Sequence, residues 1–392
     1  MTSEAKPVDK PTTHVAINTD ALAHNAAQVL GALREGVRLM AVVKCNAYGH
    51  GLVRAARAFV DAGVQWLGVS SVAEGVELRE AGISEPTLVF MPAAREECEA
   101  LVAADLTATV TQTIHMAWLH DGAVACGRDA SAHIYLDTGL GRMPSDDSAP
   151  QLMEMAEGLG DVRVTGVYTH YGPPGSGAIG DWMELFRSGV TVNMFRRLAE
   201  ELRASEGRGD LLLHCAASAL AIEQPDSQMD MARVGTLLYG QYPDCVSERA
   251  LDLREAFELR TRVIHVGTVG VGGKIGYGGE FRCRRETRVA TLPVGYYHGL
   301  SLIPQSLVSR GARAMKQVMS RWHAGWGRSW RPMTVRIGEE SAPIVGRVAM
   351  DHCAVDVTDL FEVLAGDEVV VPVRRVTVNP SIPRITVAEE EK

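Results

Sequence analysis

Residues 39–51 read LMAVVKCNAYGHG, an apolar run that ends at one lysine and passes into a loop flanked by glycines. A short apolar run bounded by glycine is typical of a buried β-strand. The polar side chains that follow it, Lys44 and Tyr48, come where the chain leaves the strand. The pattern therefore predicts a strand over Leu39–Lys44 with a lysine at its carboxyl end.

The same alternation of short apolar runs with amphipathic stretches continues from about Val15 to Gly240. Repeated strand and helix units of this kind indicate a parallel sheet. Eight strands close a barrel. The predicted strands are Leu39–Lys44, Trp66–Ser70, Thr87–Met91, Thr107–Thr111, His133–Asp137, Val164–His170, Leu211–Cys215 and Met231–Gly235.

Helical periodicity is clearest over Ala21–Leu33, Leu52–Asp61, Ala73–Ala81 and Asp181–Glu201. A doubly wound open sheet would show the same alternation, but no GxGxxG motif follows the first strand. The sequence therefore favours an α/β fold that is a closed (β/α)8 TIM barrel.

After Tyr242 the pattern becomes β-rich, with runs over Val263–Val271, Thr287–Pro293, Met333–Ile337 and Asp367–Val373. A chain of 392 residues also exceeds the ~250–300 residues at which single cores stop growing. We therefore expect a polar segment over residues 1–13, a barrel over 14–245 and a mainly β C-terminal domain over 246–392.

Composition excludes several classes of protein. The net charge is −9 and no long lysine or arginine block occurs, so we expect neither a nucleic acid nor a membrane as partner. The polar start contains no signal peptide, and the seven cysteines form no CxxC pair, which suits a reducing compartment. A small-molecule substrate and a cytoplasmic location are expected.

Lysine chemistry gives the first functional hypothesis. A partly desolvated amine is a nucleophile that can attach an aldehyde cofactor, and this makes Lys44 a candidate anchor for pyridoxal 5′-phosphate. On its own, Lys44 can equally be a solvated residue that ends a buried strand. The twelve histidines form no HExxH or clustered ligand pattern, so no metal is expected.

Polar motifs stand at the ends of several predicted strands, where a barrel carries its active site. Together they resemble the alanine racemase family, whose members carry VVKxNAYGHG, DTGMxR, TH, HxANS and RxG in that order. The resemblance continues into the second domain. The matching segments are 42–51, 137–142, 169–170, 214–218, 233–235, 275–278, 294–296 and 345–351.

The resemblance implies a pyridoxal phosphate enzyme in which Lys44 binds the cofactor covalently. Four further positions match residues that hold the cofactor phosphate: Tyr48, Ser218, Gly235 and Thr236. Small residues at the end of a strand suit that role, because they let backbone amides approach an anion.

Three more residues take roles from the resemblance. Arg233 matches an arginine that faces the pyridine nitrogen, and His170 is expected to support it. Arg142 matches an arginine that contacts both the cofactor and the substrate carboxylate, a task suited to its planar donor fork. Asp137, at the start of the same turn, is expected to shape the turn rather than to catalyse.

For the reaction, the resemblance implies an amino-acid racemase, most often for alanine, that uses two bases. Lys44 serves one face of the substrate α-carbon and Tyr277 the other. In the family the tyrosine comes from the second subunit of a head-to-tail homodimer. Tyr296 and Met350 match residues, also from the partner, that line the substrate entrance and contact the carboxylate.

The sequence departs from the family at several positions. Tyr135 stands where a lysine, commonly carbamylated, is usual, and Ala217 replaces an asparagine. Tyr296-Tyr297-His298-Gly299 replaces YADG, and a C-terminal tyrosine that reaches the phosphate has no counterpart. Residues 321–331, RWHAGWGRSWR, interleave tryptophan with arginine and are either an interface or an inserted loop.

Two other functions are open. One is a different pyridoxal phosphate reaction on the same fold, such as decarboxylation, aldol cleavage or racemisation of another amino acid. The other is a non-catalytic carrier of the cofactor. The Tyr277 motif speaks against carbon–carbon cleavage, and the β-rich second domain speaks against a carrier that has the barrel alone.

Overall fold

The computed structural model describes residues 11–171, 190–205, 209–246, 248–302, 333–360 and 362–387. These residues form two compact units. The barrel unit comprises Asn18–Ala256, and the β unit comprises residues 11–17 together with Phe257–Val387. The tryptophan and arginine segment 321–331 and most of the helix predicted over Asp181–Glu201 lie outside the described residues.

The barrel unit contains eight parallel strands, here numbered along the chain from β2. In sheet order they run β8-β7-β6-β5-β4-β3-β2-β9. Their bounds are β2 Arg38–Val42, β3 Trp66–Val69, β4 Thr87–Val89, β5 Thr107–Val110, β6 Ala130–Tyr135, β7 Val162–Tyr168, β8 Leu212–His214 and β9 Met231–Val234.

Bonds between the chain around β8 and the chain around β9 nearly close this sheet. The Asp230 amide donates to the Leu213 carbonyl at 3.1 Å, and the Arg233 amide donates to the Ala216 carbonyl at 2.9 Å. A single parallel bridge joins Ala217 to Arg233. The predicted eight-stranded barrel is confirmed, and each of its strands overlaps the predicted range.

The barrel strands are mostly apolar and buried because both of their faces are covered. In β2 only Arg38 is exposed, while Leu39, Met40, Ala41 and Val42 are buried. A strand packed against the barrel interior on one side and helices on the other favours apolar side chains on both faces. This is why the first stretch of sequence predicted its strand so directly.

Helices alternate with the strands, and their residues explain their bounds. Leu52, Ala55, Ala56 and Phe59 recur at helical spacing and are all buried. The Asn18 side chain caps the first helix by accepting from the Ala21 amide at 2.9 Å. The described helices are α1 Thr19–Ala32, α2 Leu52–Asp61, α3 Val72–Glu80, α4 Cys98–Ala103, α5 Thr113–Cys126, α6 Ala149–Leu159, α7 Val190–Ser205 and α8 Ser218–Glu223.

The β unit is a mainly antiparallel sheet with a small hairpin. The nine-stranded sheet has the order β11-β14-β17-β16-β15-β18-β10-β1-β19, and β12 pairs with β13. The bounds are β1 His14–Asn18, β10 Phe257–Arg262, β11 His265–Val269, β12 Lys274–Ile275, β13 Phe281–Arg282, β14 Thr287–Leu292, β15 Thr334–Ile337, β16 Glu340–Val345, β17 Cys353–Asp356, β18 Glu368–Val371 and β19 Arg384–Val387.

The division of the chain differs from the expected ranges at two places. Residues 14–17, expected within the barrel domain, belong to strand β1, which pairs antiparallel with β10 in the β unit, with Ile17 opposite Phe257. Residues 246–256, expected in the second domain, belong to the barrel unit. Strand β1 is apolar and precedes a helix, like the barrel strands, so its sequence does not reveal its pairing partner.

No helix within the described ranges is long and apolar enough to cross a membrane.

Candidate active site

A cavity of about 520 Å³ opens at the carboxyl ends of the barrel strands. We call it the barrel pocket. It brings together all of the barrel residues that the sequence singled out for cofactor or substrate. Its polar lining includes Lys44, Tyr48, Tyr135, Arg142, His170, Ser218, Arg233, Gly235 and Thr236.

Lys44 and Tyr48 are the ends of one turn of left-handed helix. Residues 45–48 have φ between 51° and 55°, and none of them is glycine. Left-handed geometry costs about 1–2 kcal/mol for each such residue, so the turn must be held by its surroundings. The strand was predicted to reach Lys44, but β2 stops at Val42.

The Lys44 amine is half-buried in the barrel pocket. Burial lowers its pKa below the usual lysine value, and the nearby Arg142 guanidinium lowers it further. Cys45 and Glu74 oppose this shift. A lowered pKa increases the fraction of neutral amine, which is the nucleophilic and proton-accepting form.

Three hydroxyl groups gather around the backbone of Gly235, and we call them the hydroxyl cluster: Tyr48, Ser218 and Thr236. The Gly235 amide donates to Ser218 Oγ at 3.0 Å, and Thr236 Oγ1 lies 3.4 Å from the same oxygen. A Cβ atom on Gly235 would lie only 2.6 Å from Tyr48 Oη. Glycine is therefore needed for the tyrosine to approach this backbone.

Arg233 is buried in the barrel interior, and no carboxylate of the described residues pairs with it. Its guanidinium donates to the carbonyl oxygens of Thr169 at 2.6 Å and His214 at 2.9 Å, and it lies 5.1 Å from the Tyr168 ring centroid. Burial lowers the pKa of Arg233, and the neighbouring Tyr168 and Cys215 raise it. Neutral acceptors thus hold a cation in the floor of the pocket.

Two buried histidines extend a chain of hydrogen bonds that begins at Arg233. Because arginine only donates, His214 Nδ1 must accept the 2.9 Å bond from the guanidinium. His214 Nε2 then carries the proton and donates to His133 Nδ1 at 3.0 Å. Burial and then Arg233 lower the pKa of His133 to about 3, so both rings are neutral near pH 7.

His170, which the sequence predicted as the support of Arg233, lines the barrel pocket. The histidine that bonds to the guanidinium is His214, which lies in the matching segment 214–218 and for which the sequence predicted no role. Burial, and then the positive charges of Arg233, Arg142 and Lys44, lower the pKa of His170 to about 3. His170 is therefore a neutral ring at the pocket wall.

Asp137 shapes the turn that carries Arg142, as the sequence predicted. Its carboxylate accepts the amides of Gly139 at 2.9 Å, Gly141 at 3.0 Å and Met143 at 3.3 Å. Burial opposes ionisation, but these backbone donors together lower the pKa of Asp137. The ionised carboxylate organises the loop, and Arg142 itself is exposed at the pocket mouth.

Tyr135 occupies the position where the family usually has lysine. The side chain is buried, and its ring meets that of Tyr168 edge to face at 5.1 Å between centroids. Among the described residues, its hydroxyl oxygen has no hydrogen-bond partner. Burial and the nearby Asp137 raise its pKa, so the group is a neutral phenol.

In the β unit, three loops bring Tyr277, Tyr296 and Met350 to the surface. The backbone of Gly276 lies against Arg347, such that a Cβ on Gly276 would be 3.0 Å from the Arg347 nitrogen. The Tyr296 amide donates to the Ala349 carbonyl at 3.0 Å. Tyr277 is 66% exposed and Met350 57%, so an aromatic and apolar patch faces outward.

The sequence did not predict the residues that hold other site residues, or their backbone, by hydrogen bonds. Besides His214 and His133, these are Glu74, which holds the left-handed turn, and Tyr239, whose hydroxyl donates to the Val42 carbonyl at 3.0 Å. A histidine inside an apolar strand was the only available signal for His133. Within the described ranges, no group of three or more His, Cys, Asp or Glu side chains could hold a metal ion.

Fold and pocket together define a class of enzyme with a (β/α)8 barrel and a β domain, in which a lysine amine shares one pocket with a buried arginine and a cluster of hydroxyls. Comparison with known families agrees. The model of the alanine racemase N-terminal domain matches residues 17–243, and that of the alanine racemase C-terminal domain matches residues 256–385.

Individual relatives give the same result. Alanine racemase 2 of Caldanaerobacter subterraneus subsp. tengcongensis is 32% identical over 363 residues, which cover 92% of this chain and 85% of the relative. The solved alanine racemase of Clostridium difficile 630 has a TM-score of 0.81 at 25% identity, with 97% of each chain covered.

A second solved structure, the alanine racemase of the D-cycloserine producer Streptomyces lavendulae, is 27% identical with a TM-score of 0.77 and covers 97% of this chain and 99% of its own. The chain therefore belongs to the alanine racemase family. It is an isomerase of the amino-acid racemase class.

Proposed function

We propose that this protein interconverts L- and D-alanine with pyridoxal 5′-phosphate bound in the barrel pocket. The observation that carries the proposal is the position of Lys44, a half-buried amine of lowered pKa in the same cavity as Arg233 and the hydroxyl cluster. The match of both family domain models supports a small amino acid as the substrate.

The donor groups of the pocket fit this cofactor. The hydroxyl cluster and the backbone at Gly235 and Thr236 would hold the phosphate, because several donors and closely approaching amides suit an anion. Lys44 would bind the aldehyde carbon. Arg233 would face the pyridine nitrogen, and since guanidinium keeps its proton, it would leave that nitrogen unprotonated.

When bound, pyridoxal phosphate draws electrons from the substrate α-carbon and makes its hydrogen acidic. Lys44 Nζ takes or returns that proton on one face, and its lowered pKa keeps it available as a base. Arg142, at the pocket mouth, pairs with the substrate carboxylate. The neutral His214 and His133 keep Arg233 in one orientation.

Inversion also needs a base on the opposite face, and we assign it to Tyr277 of a second copy of the chain in a head-to-tail homodimer. Tyr277, Tyr296 and Met350 are exposed, and backbone contacts join the segments of the β unit that carry them. Exposed apolar patches of this kind mark interaction surfaces. Tyr296 and Met350 of the partner would then contact the substrate at the pocket entrance.

Two measurements test the proposal. Lys44→Ala should lose the long-wavelength absorbance of bound cofactor, because the covalent attachment is gone; an unchanged band would refute the role of Lys44. With L-alanine in deuterated water, the wild type should lose optical rotation and exchange the α-proton without forming a new product. A new amine or aldehyde product would instead support decarboxylation or aldol cleavage.

The other functions considered are less well supported. No comparison favours decarboxylation or aldol cleavage over racemisation. The match of residues 256–385 to the family C-terminal domain model counts against a carrier built from a barrel alone. All seven cysteines are free thiols, which supports the proposed cytoplasmic location.

A further inference from the structure

Glu74 connects the left-handed turn to the neighbouring barrel strand. One carboxylate oxygen accepts the Asn46 amide at 3.1 Å, inside the turn. The other accepts the Ser70 amide at 2.9 Å, directly after β3. One side chain therefore ties the chain leaving β2 to the chain leaving β3.

The turn depends on such external bonds, because its own geometry is unfavourable. Four consecutive residues that are not glycine adopt left-handed angles. The Ala47 amide donates back to the Val43 carbonyl at 2.7 Å, and the Asn46 side chain accepts the Leu52 amide at 2.8 Å. Glu74 adds a bond with a charged acceptor, worth more than a neutral one.

We propose that Glu74 is a positioning residue whose carboxylate braces the left-handed turn against the end of β3 and so fixes where the Lys44 amine points. This inference rests on the proposed role of Lys44 as cofactor anchor and base. Without the brace, the strained turn can relax toward ordinary backbone angles. The amine and the Tyr48 hydroxyl, which flank the turn, would then lose their common direction into the barrel pocket.

Helix capping alone does not explain this side chain. Glu74 lies in the first turn of α3, and Ser71 caps that helix by accepting the Glu74 amide at 3.3 Å. A capping glutamate accepts the amide of the N-cap residue, which here is Ser71, whereas Glu74 accepts the amide of Ser70, one residue earlier. The second bond, to Asn46, crosses 28 positions of sequence and contributes nothing to the cap.

The negative charge of Glu74 also acts on the Lys44 amine. Burial and then Arg142 lower the pKa of Lys44, whereas Cys45 and Glu74 raise it and so oppose the shift. His170 also lies within electrostatic range of Lys44. Removal of the Glu74 charge alone should therefore shift the titration of the Lys44 amine to lower pH.

Glu74→Gln in the full-length protein is the test, and Ser71→Ala is the matched control because it removes the helix cap without touching Asn46. Backbone hydrogen exchange is followed at residues 45–49, with and without bound cofactor. In the cofactor-free chain, the reaction of Lys44 with acetic anhydride is followed against pH by peptide mapping. Glu74→Asp keeps the negative charge on a shorter side chain. It therefore separates the effect of the charge on Lys44 from the effect of the hydrogen bonds to Asn46 and Ser70.

We expect Glu74→Gln to accelerate exchange at residues 45–49 by about tenfold or more, the effect of one lost charge-assisted hydrogen bond. The midpoint of Lys44 acetylation should move to lower pH. Glu74→Asp should accelerate exchange but keep the midpoint, and Ser71→Ala should change only amides at the start of α3.

Exchange at residues 45–49 within twofold of wild type in both Glu74 variants would overturn the inference. Equal acceleration by Ser71→Ala would also overturn it, since the effect would then come from the helix cap. These outcomes do not depend on the cofactor. Failure of the proposed function would instead appear as persistent cofactor absorbance in Lys44→Ala.

Discussion

Replacement of Gly235 by alanine tests the hydroxyl cluster as the phosphate site. The new Cβ would lie 2.6 Å from Tyr48 Oη and 3.1 Å from Cζ, where ordinary contact begins at 3.4 Å. The tyrosine hydroxyl must therefore move by about 0.8 Å. Gly235 has a φ of −119°, outside the left-handed region that favours glycine, so the contact with Tyr48 is the main consequence of the added Cβ.

The expected cost follows from overpacking, which is about 1–3 kcal/mol. Because Tyr48 is half-buried at the pocket, it can rotate away in the cofactor-free protein, and most of the cost should fall on cofactor binding. At 1.4 kcal/mol for each factor of ten, the Kd of pyridoxal phosphate should rise by about 5- to 150-fold.

The assay is equilibrium titration of the cofactor-free protein, followed by absorbance, with chemical unfolding measured alongside. Gly158→Ala is the control, because Gly158 is exposed in α6 with no heavy atom within 4 Å of the added Cβ. That variant should keep the wild-type Kd and gain about 0.5–1 kcal/mol of stability. A Kd for Gly235→Ala within twofold of wild type would refute the assignment of the phosphate site.

Two further predictions concern buried polar groups. Tyr135→Phe removes a hydroxyl without a described partner, so the free energy of unfolding should stay constant or rise by up to about 1 kcal/mol. A fall in the free energy of unfolding by more than about 1 kcal/mol would show that the hydroxyl is hydrogen-bonded. The pKa of His133 is about 3 in the folded state, against about 6.5 unfolded, so its contribution to stability is complete above pH 6.5 and is lost as pH falls. His133→Gln should therefore weaken the pH dependence of unfolding by about 1.4 kcal/mol per pH unit between pH 6 and 4; equal slopes would contradict a neutral histidine.

The barrel could be predicted from sequence because its strands are buried on both faces. Strand β9, Met231–Val234, is buried throughout, and it was predicted within one residue. Strand β16, with two exposed residues at its start, has no comparable apolar run and was not predicted. Strand β1 resembles a barrel strand and differs only in its pairing partner, which local sequence does not encode.

The candidate site was predictable where motifs stand at strand ends, as for Lys44, Arg142 and Arg233, which the barrel brings into one pocket. The left-handed turn was not, because residues 45–48 include no glycine and their angles depend on distant bonds such as that from Glu74. The bond from His214 to His133 depends likewise on the register of strands far apart in sequence.

The most direct test of the shared two-base site mixes two inactive variants, Lys44→Ala and Tyr277→Phe, after separate purification and under conditions that exchange subunits. In a two-fold symmetric dimer, each mixed pair contains one site with both bases intact. Random pairing makes half of the dimers mixed, so alanine racemisation should return to about one quarter of the wild-type rate. If the mixture stays as inactive as its components although subunit exchange is verified, Lys44 and Tyr277 of different chains do not form one site.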